Sequence, residues 1–322
     1  MLWDTPNPPR LPIETVYNFP KPDPGPTLPI RMRLLETGPD LVGITAVLYN
    51  GLTRSIFAHN GRSAQESRFY ERAMQLRHPV MFIYLPFSPG ERLVDVSIRG
   101  FCLVDFKLEQ ACVAVRKSTK PSLEADSTFV FGYYVPPARR AAFDFTSVTG
   151  YQTCQVSHLC VNERDESDHS LRLGVIRTIS ENEQTQPPAD WWGADTPSLT
   201  PPSSVYEWNM MWMKVTVEDR ECFQACLEVI DGQEYCIGLM FHGGSRAEML
   251  GQWRWDRKIT DKISLPTDKY GLGNLQDAGG YDRVKLHVCE AVPHDLLRIG
   301  GVLEWWCSAQ RSRVGHSVAP ST

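Results

Sequence analysis

The stretch CFQACLEVI-DG-QEYCIGLMF (222–241) constrains the fold more than any other part of the chain. Two apolar runs flank Asp231-Gly232, a pair that accepts positive φ at both positions, as the type I′ turn of a two-residue hairpin requires. The spacing sets Ile230 opposite Gln233 and Cys226 opposite Ile237. Cys236 then falls on the other face from Cys226, and no bridge between them is expected. HGGSR (242–246) reads as the next turn, and AEMLGQWRW (247–255) as the third strand of a meander. Side chains alternate along a strand, so Trp253 and Trp255 are expected on one face, with Arg254 and Asp256 on the other. By the same rule Trp305 and Trp306 in GVLEWWCS (301–308) point to opposite faces.

Similar runs recur along the chain, among them LVGITAVLY (41–49), PVMFIYLPF (79–87), RLVDVSIRG (92–100), TFVFGYY (128–134) and RVKLHVCEAV (283–292). Many short β-branched and aromatic runs, broken by Gly, Pro, Asn and Asp, predict an all-β, mainly antiparallel fold, a sandwich or barrel-like sheet assembly. One short helix is expected near 64–77. Ser63 and Glu66 form a capping box, Phe69, Ala73 and Leu76 follow at helical spacing, and Pro79 disfavours continuation through His78. Residues 1–30 read as a proline-rich arm, and 31–316 as a single large β domain. Within it, 180–204 has no period and is expected to be a lid-like loop.

Composition narrows the function classes. The net charge of −5 and the lack of a dense Lys/Arg stripe argue against a nucleic-acid surface. No run approaches 18 apolar residues, and the N-terminus lacks the pattern of a signal peptide, so no membrane span is expected and a cytoplasmic location is. The nine scattered cysteines are then expected as free thiols.

Residues 66–99 (ESRFYERAMQLRHPVMFIYLPFSPGERLVDVSIR), with RAEMLGQWRWDRKI (246–259) and GVLEWWCS downstream, resemble a family of largely uncharacterised fungal β-rich proteins. There a Phe-Tyr helix precedes an aromatic strand, a Pro-Gly-Glu turn and a second strand. The resemblance spans roughly 41–310 and implies a fungal β-rich protein. It transfers no catalytic residue.

No metal site is expected, because Cys-x3-Cys on a regular strand, as at Cys222 and Cys226, holds the sulfurs too far apart for one tetrahedral ion. His242-Gly243-Gly244 matches the oxyanion glycines of esterases, but no Gly-x-Ser-x-Gly elbow accompanies it. Neither a phosphate loop nor a dinucleotide fingerprint is present, and no cofactor is expected. Arg99, Arg254, Asp256, Glu304 and His287 are the charged candidates. Arg254 and Glu304 are kept as catalytic, since each neighbours a tryptophan. Trp191, Trp192, Trp253, Trp255, Trp306 and His242 are the expected substrate-binding residues, with Trp191 or Trp192 covering a pocket floored by Arg254 and Glu304.

Three functions fit this reading. The first is a cofactor-free enzyme of fungal small-molecule biosynthesis, of cyclase or pericyclase type, working mainly through orientation and a few hydrogen bonds. The second is a lectin-like carbohydrate-binding protein with indoles stacked on sugar faces. The third is an intracellular adaptor that presents Trp191-Trp192 to a protein. A small-molecule ligand and a homodimer are the expected partners.

Overall fold

The computed structural model describes residues 2–3, 16–18, 31–61, 63–75, 78–101, 112–119, 127–149, 155–163, 171–178, 192, 196–201, 210–244 and 246–317. They form a mostly antiparallel all-β protein of several open sheets, sandwich-like as the turn-punctuated apolar runs predict. The helix runs over Ser63–Met74, and Phe69 and Ala73 on it are buried.

The chain divides into two compact units that interleave in sequence, where composition suggests one domain. One comprises Met1–Leu48, Leu52–Arg62 and Pro89–Ala194. The other comprises Tyr49–Gly51, Ser63–Ser88 and Asp195–Thr322. The last boundary falls inside the aperiodic stretch 180–204, since a lid and a linker share the same composition.

In the first unit, Leu2–Trp3, Arg31–Glu36, Gln155–Glu163, Arg172–Thr178 and Val16–Asn18 form one sheet in that order. Two pieces of the proline-rich arm therefore add strands at its ends. A second sheet has the order Phe143–Ser147, Arg92–Phe101, Cys112–Ser118, Ser127–Phe131. Its register places Val96, Ile98, Val113 and Val115 on one face, all fully buried. Thr53, from Leu52–His59, closes on this sheet by donating to Phe131 O (2.7 Å) and accepting from Val113 N–H (3.0 Å). The opposite face carries Asp95, Ser97 and Arg99 on the central strand, facing Arg116, Ala114 and Cys112 across one ladder and Ser147 and Phe145 across the other.

In the second unit the Asp231-Gly232 turn forms as the dipeptide predicts, with φ of 50° and 77°, and Ile230 pairs Gln233. Further along a bulge intervenes. Cys226 pairs Gly238 rather than Ile237, and Leu227 pairs Cys236. The glycine is needed at that point, because a Cβ on Gly238 would lie 1.9 Å from the carbonyl oxygen of Gln252.

The same crossing ends the third strand early, at Gly251 rather than at Trp255. Gly251 adopts φ 90°, and the chain leaves the sheet. Gln252 N–H donates to Ile237 O (2.7 Å) and Trp253 N–H to Phe82 O (3.1 Å). The Gln252 side chain accepts from Phe82 N–H and donates to Ser308 O, each at 3.0 Å. Strand alternation is therefore lost over 252–256. Trp253 is fully buried while Trp255 is 40% exposed, although their rings meet edge to face at 5.7 Å. Trp305 and Trp306 do occupy a strand, Val302–Cys307, the middle of a three-stranded sheet, and both are buried.

Candidate functional site

Arg254, expected to polarise a substrate carbonyl, has its donors engaged. It is 4% exposed. Nε and Nη2 make a bidentate pair with Asp256 (3.0 and 2.7 Å), and Nη1 reaches Glu228 (3.4 Å) and Met74 Sδ (3.3 Å). Its guanidinium carbon lies 4.5 Å from the Phe82 ring centroid and 5.8 Å from that of Tyr70. Arg257 shares Glu228 and Asp256. This is a closed ion-pair nest, whose fork geometry satisfies the cation without a ligand.

Glu304 is likewise occupied. It accepts from Ser198 N–H, Ser198 Oγ, Leu199 N–H and Trp212 Nε1, within 2.8–3.3 Å. Burial alone would raise its pKa, but hydrogen bonds from Leu199, Ser317 and Ser198 outweigh it and hold the carboxyl below the usual range. An ionised, fully hydrogen-bonded carboxylate anchors the 196–201 segment; it has no proton to deliver. Among the described residues, the hydrogen-bond partners of Arg254 and of Glu304 have no residue in common.

Of the other expected residues, Trp306 joins Glu304 at the 196–201 segment, and Trp253 meets Trp255. Trp306 is buried and donates Nε1–H to Leu199 O (2.8 Å). His242 is half-buried against Gln224 (3.2 Å), and burial together with Lys262 lowers its pKa. Gly243 and Gly244 make a tight turn: a Cβ on Gly243 would lie 2.5 Å from Asp219 O, and Gly244 has φ 55°. Burial pushes the Cys226 and Cys307 thiols up to about 12, which keeps them protonated and unreactive at neutral pH. Among the described residues, no group of three His, Cys, Asp or Glu side chains is placed to hold a metal. Trp191 lies outside the described residues.

Trp192 leads elsewhere. Its ring meets Phe145 edge to face at 5.2 Å and Phe143 at 6.1 Å, and it lies 5.6 Å from the guanidinium carbon of Arg99. Arg99 is 3% exposed. The centroids of Tyr133 and Phe143 also stand 4.8 and 5.7 Å from that carbon. Nη2 donates to Tyr133 O (2.8 Å) and to Cys112 Sγ (3.2 Å). Among the described residues no carboxylate pairs with Arg99. Arg140 packs on the Trp192 ring at 5.3 Å and adds positive potential.

Two positions along the strand, Ser97 is fully buried, and among the described residues its hydroxyl has no hydrogen-bond partner. Asp95, next on the same face, is engaged by the Thr149 hydroxyl and by Arg116 at 3.7 Å. Burial pushes the Asp95 carboxyl up against the opposing effects of Thr149 and Arg116, and burial, chiefly, also pushes up the Tyr133 phenol. This aromatic box around Arg99, continued by Ser97, is the candidate site: a buried cation with donors that meet no described residue, beside apolar rings.

The sequence places Arg99 among its five charged candidates but favours Arg254 and Glu304 for their tryptophan neighbours. The signal for Arg99 is the alternation in DVSIR, whose Asp, Ser and Arg share one face while Val and Ile share the other. A solvated strand face has the same pattern, and only tertiary burial distinguishes the two. No protein-family model matches the chain, and no curated protein matches it.

Proposed function

We propose that the chain is a cofactor-free enzyme of small-molecule biosynthesis, of cyclase or pericyclase type, that takes an apolar, ring-bearing substrate in the Arg99 box. The supporting observation is the buried Arg99 guanidinium, ringed by Tyr133, Phe143 and Trp192 with no acid beside it among the described residues. A cyclisation needs its substrate folded into one reactive conformer, and stacking rings supply that orientation. It also gains from a fixed donor where negative charge develops on a carbonyl or enolate oxygen. In a desolvated site such a donor is worth far more than in water. Arg99 fills the role expected of Arg254.

The lectin-like alternative rests on Trp255, which is 40% exposed and meets Tyr84 edge to face at 5.6 Å. A thermal-shift screen of polyketide- and terpenoid-like compounds, run beside a glycan array, separates the two readings. The enzyme reading expects apolar compounds to raise the melting temperature, with the effect lost in Trp192→Ala and kept in Trp255→Ala. Glycan binding that depends on Trp255 and ignores Trp192 would overturn it.

A further inference from the structure

The charge of the ligand follows from the donor inventory of the box, given the reading of it as a substrate site. A guanidinium carries five N–H donors in one plane. Nη2 makes the hydrogen bonds to Tyr133 O and Cys112 Sγ, while Nε and Nη1 donate to no described residue. Three rings stand within 6 Å of the guanidinium carbon, and the remaining N–H donors lie in the guanidinium plane, so a ligand group that uses them approaches in that plane. Access from the Cys112 side is shut, because a Cβ on Gly132 would lie 3.0 Å from Nη2 and 2.2 Å from the Cys112 sulfur.

A charge this buried is costly unless it is paired and hydrogen-bonded. The acid on the same face, Asp95, already serves Arg116 and Thr149.

We infer that the Arg99 box binds a carboxylic acid: a planar monoanionic carboxylate lies in the guanidinium plane, on an aromatic or polycyclic body that packs against Trp192 and Phe143. A carboxylate matches the planar fork in both geometry and charge. A phosphate, tetrahedral and near two charges at neutral pH, sets oxygens out of the plane toward the rings. The idle Ser97 hydroxyl sits roughly 7 Å along the strand, at the spacing of two residues.

The test uses the full chain and three probes, 2-naphthoate, 2-naphthamide and 2-naphthyl phosphate, titrated calorimetrically at neutral pH. The expected result is that naphthoate binds at least tenfold tighter than either other probe. Arg99→Gln should abolish that preference, and Arg99→Lys, which keeps the charge without the fork, should retain only part of it. Circular dichroism of each variant confirms that it is folded. If naphthamide binds as well as naphthoate, and both need Arg99 and Trp192, the acid class is overturned while the site stands. A preference for the phosphate overturns the carboxylate. If no probe binds in an Arg99-dependent way, the acid inference falls, and the neutral-compound screen decides the substrate-site reading separately.

Discussion

Arg254 and Arg99 are buried to the same degree, at 4% and 3% exposure, and both have aromatic rings close to the guanidinium. They differ in what faces their in-plane donors. Arg254 meets Asp256 and Glu228, with Arg257 sharing both acids, so charge and hydrogen bonds close on themselves. Arg99 meets a carbonyl and a thiol, and no acid among the described residues. A buried arginine with its acids in place is part of the frame. One without them among the described residues is where we propose that a ligand completes the charge. A neighbouring tryptophan does not distinguish the two cases, because both arginines have aromatic neighbours.

The contrast predicts an ordered series of stability changes, each measured by urea denaturation of the full chain. Arg254→Met should have the largest effect, a loss of about 3 kcal/mol, because it strands carboxylates built around the cation. A loss below about 1 kcal/mol would erase the distinction between the two arginines. Gly251→Ala should cost about 2 kcal/mol or more. The residue sits at φ 90°, and a Cβ would lie 2.6 Å from Ile237 O, so the turn that delivers Arg254 to Phe82 cannot form without strain. An unchanged midpoint would mean the nest forms without that turn.

Glu304→Gln should cost about 2 kcal/mol at neutral pH, since an amide cannot accept all the hydrogen bonds the carboxylate accepts. The sign of its pH dependence follows from the lowered pKa. The folded state binds the proton less readily than the unfolded chain, so the stabilisation is fully present above the ordinary value of 4.5 and is lost as pH falls below it. The parent should therefore weaken more steeply than the Gln variant on that acid limb, and parallel limbs would count against the anchoring role. Arg99→Met should have the smallest effect, within about 1 kcal/mol of the parent, because it leaves no described acid unpaired and removes a costly charge. A loss as large as that of Arg254→Met would show that Arg99, too, belongs to the frame.

Fold class was legible because hairpin chemistry is local. Asp231-Gly232 reads directly as a turn, and so does Asn50-Gly51, which stands between Gly43–Tyr49 and Leu52–His59 with φ of 51° and 72°. The bulge at Cys226 and the early end of the strand at Gly251 were not legible. Both arise where the Gln252 backbone crosses Gly238, a contact between segments that local periodicity does not encode. The same limit applies to the site. Trp192 and Arg99 each stand out by residue type, but nothing in sequence spacing joins a residue of an aperiodic segment to one in a strand 93 positions earlier. Glu304 stands out in the sequence for its tryptophan neighbours, but its role is set by the backbone of Ser198 and Leu199.

The interleaving of the two units bears on how the chain is made. Synthesis completes the first unit at Ala194, yet by then it has already delivered Ser63–Ser88, which belongs to the second. That early piece holds Tyr70, Met74 and Phe82, the apolar side of the Arg254 nest, while Arg254, Asp256 and Glu228 emerge much later. During translation the helix and its aromatic strand must wait with apolar side chains uncovered, the kind of exposure that recruits chaperones and invites aggregation. For the same reason no single cut separates the units. A fragment ending at Ala194 carries a stranded part of its neighbour, and one beginning at Asp195 lacks the rings beneath its own buried cation.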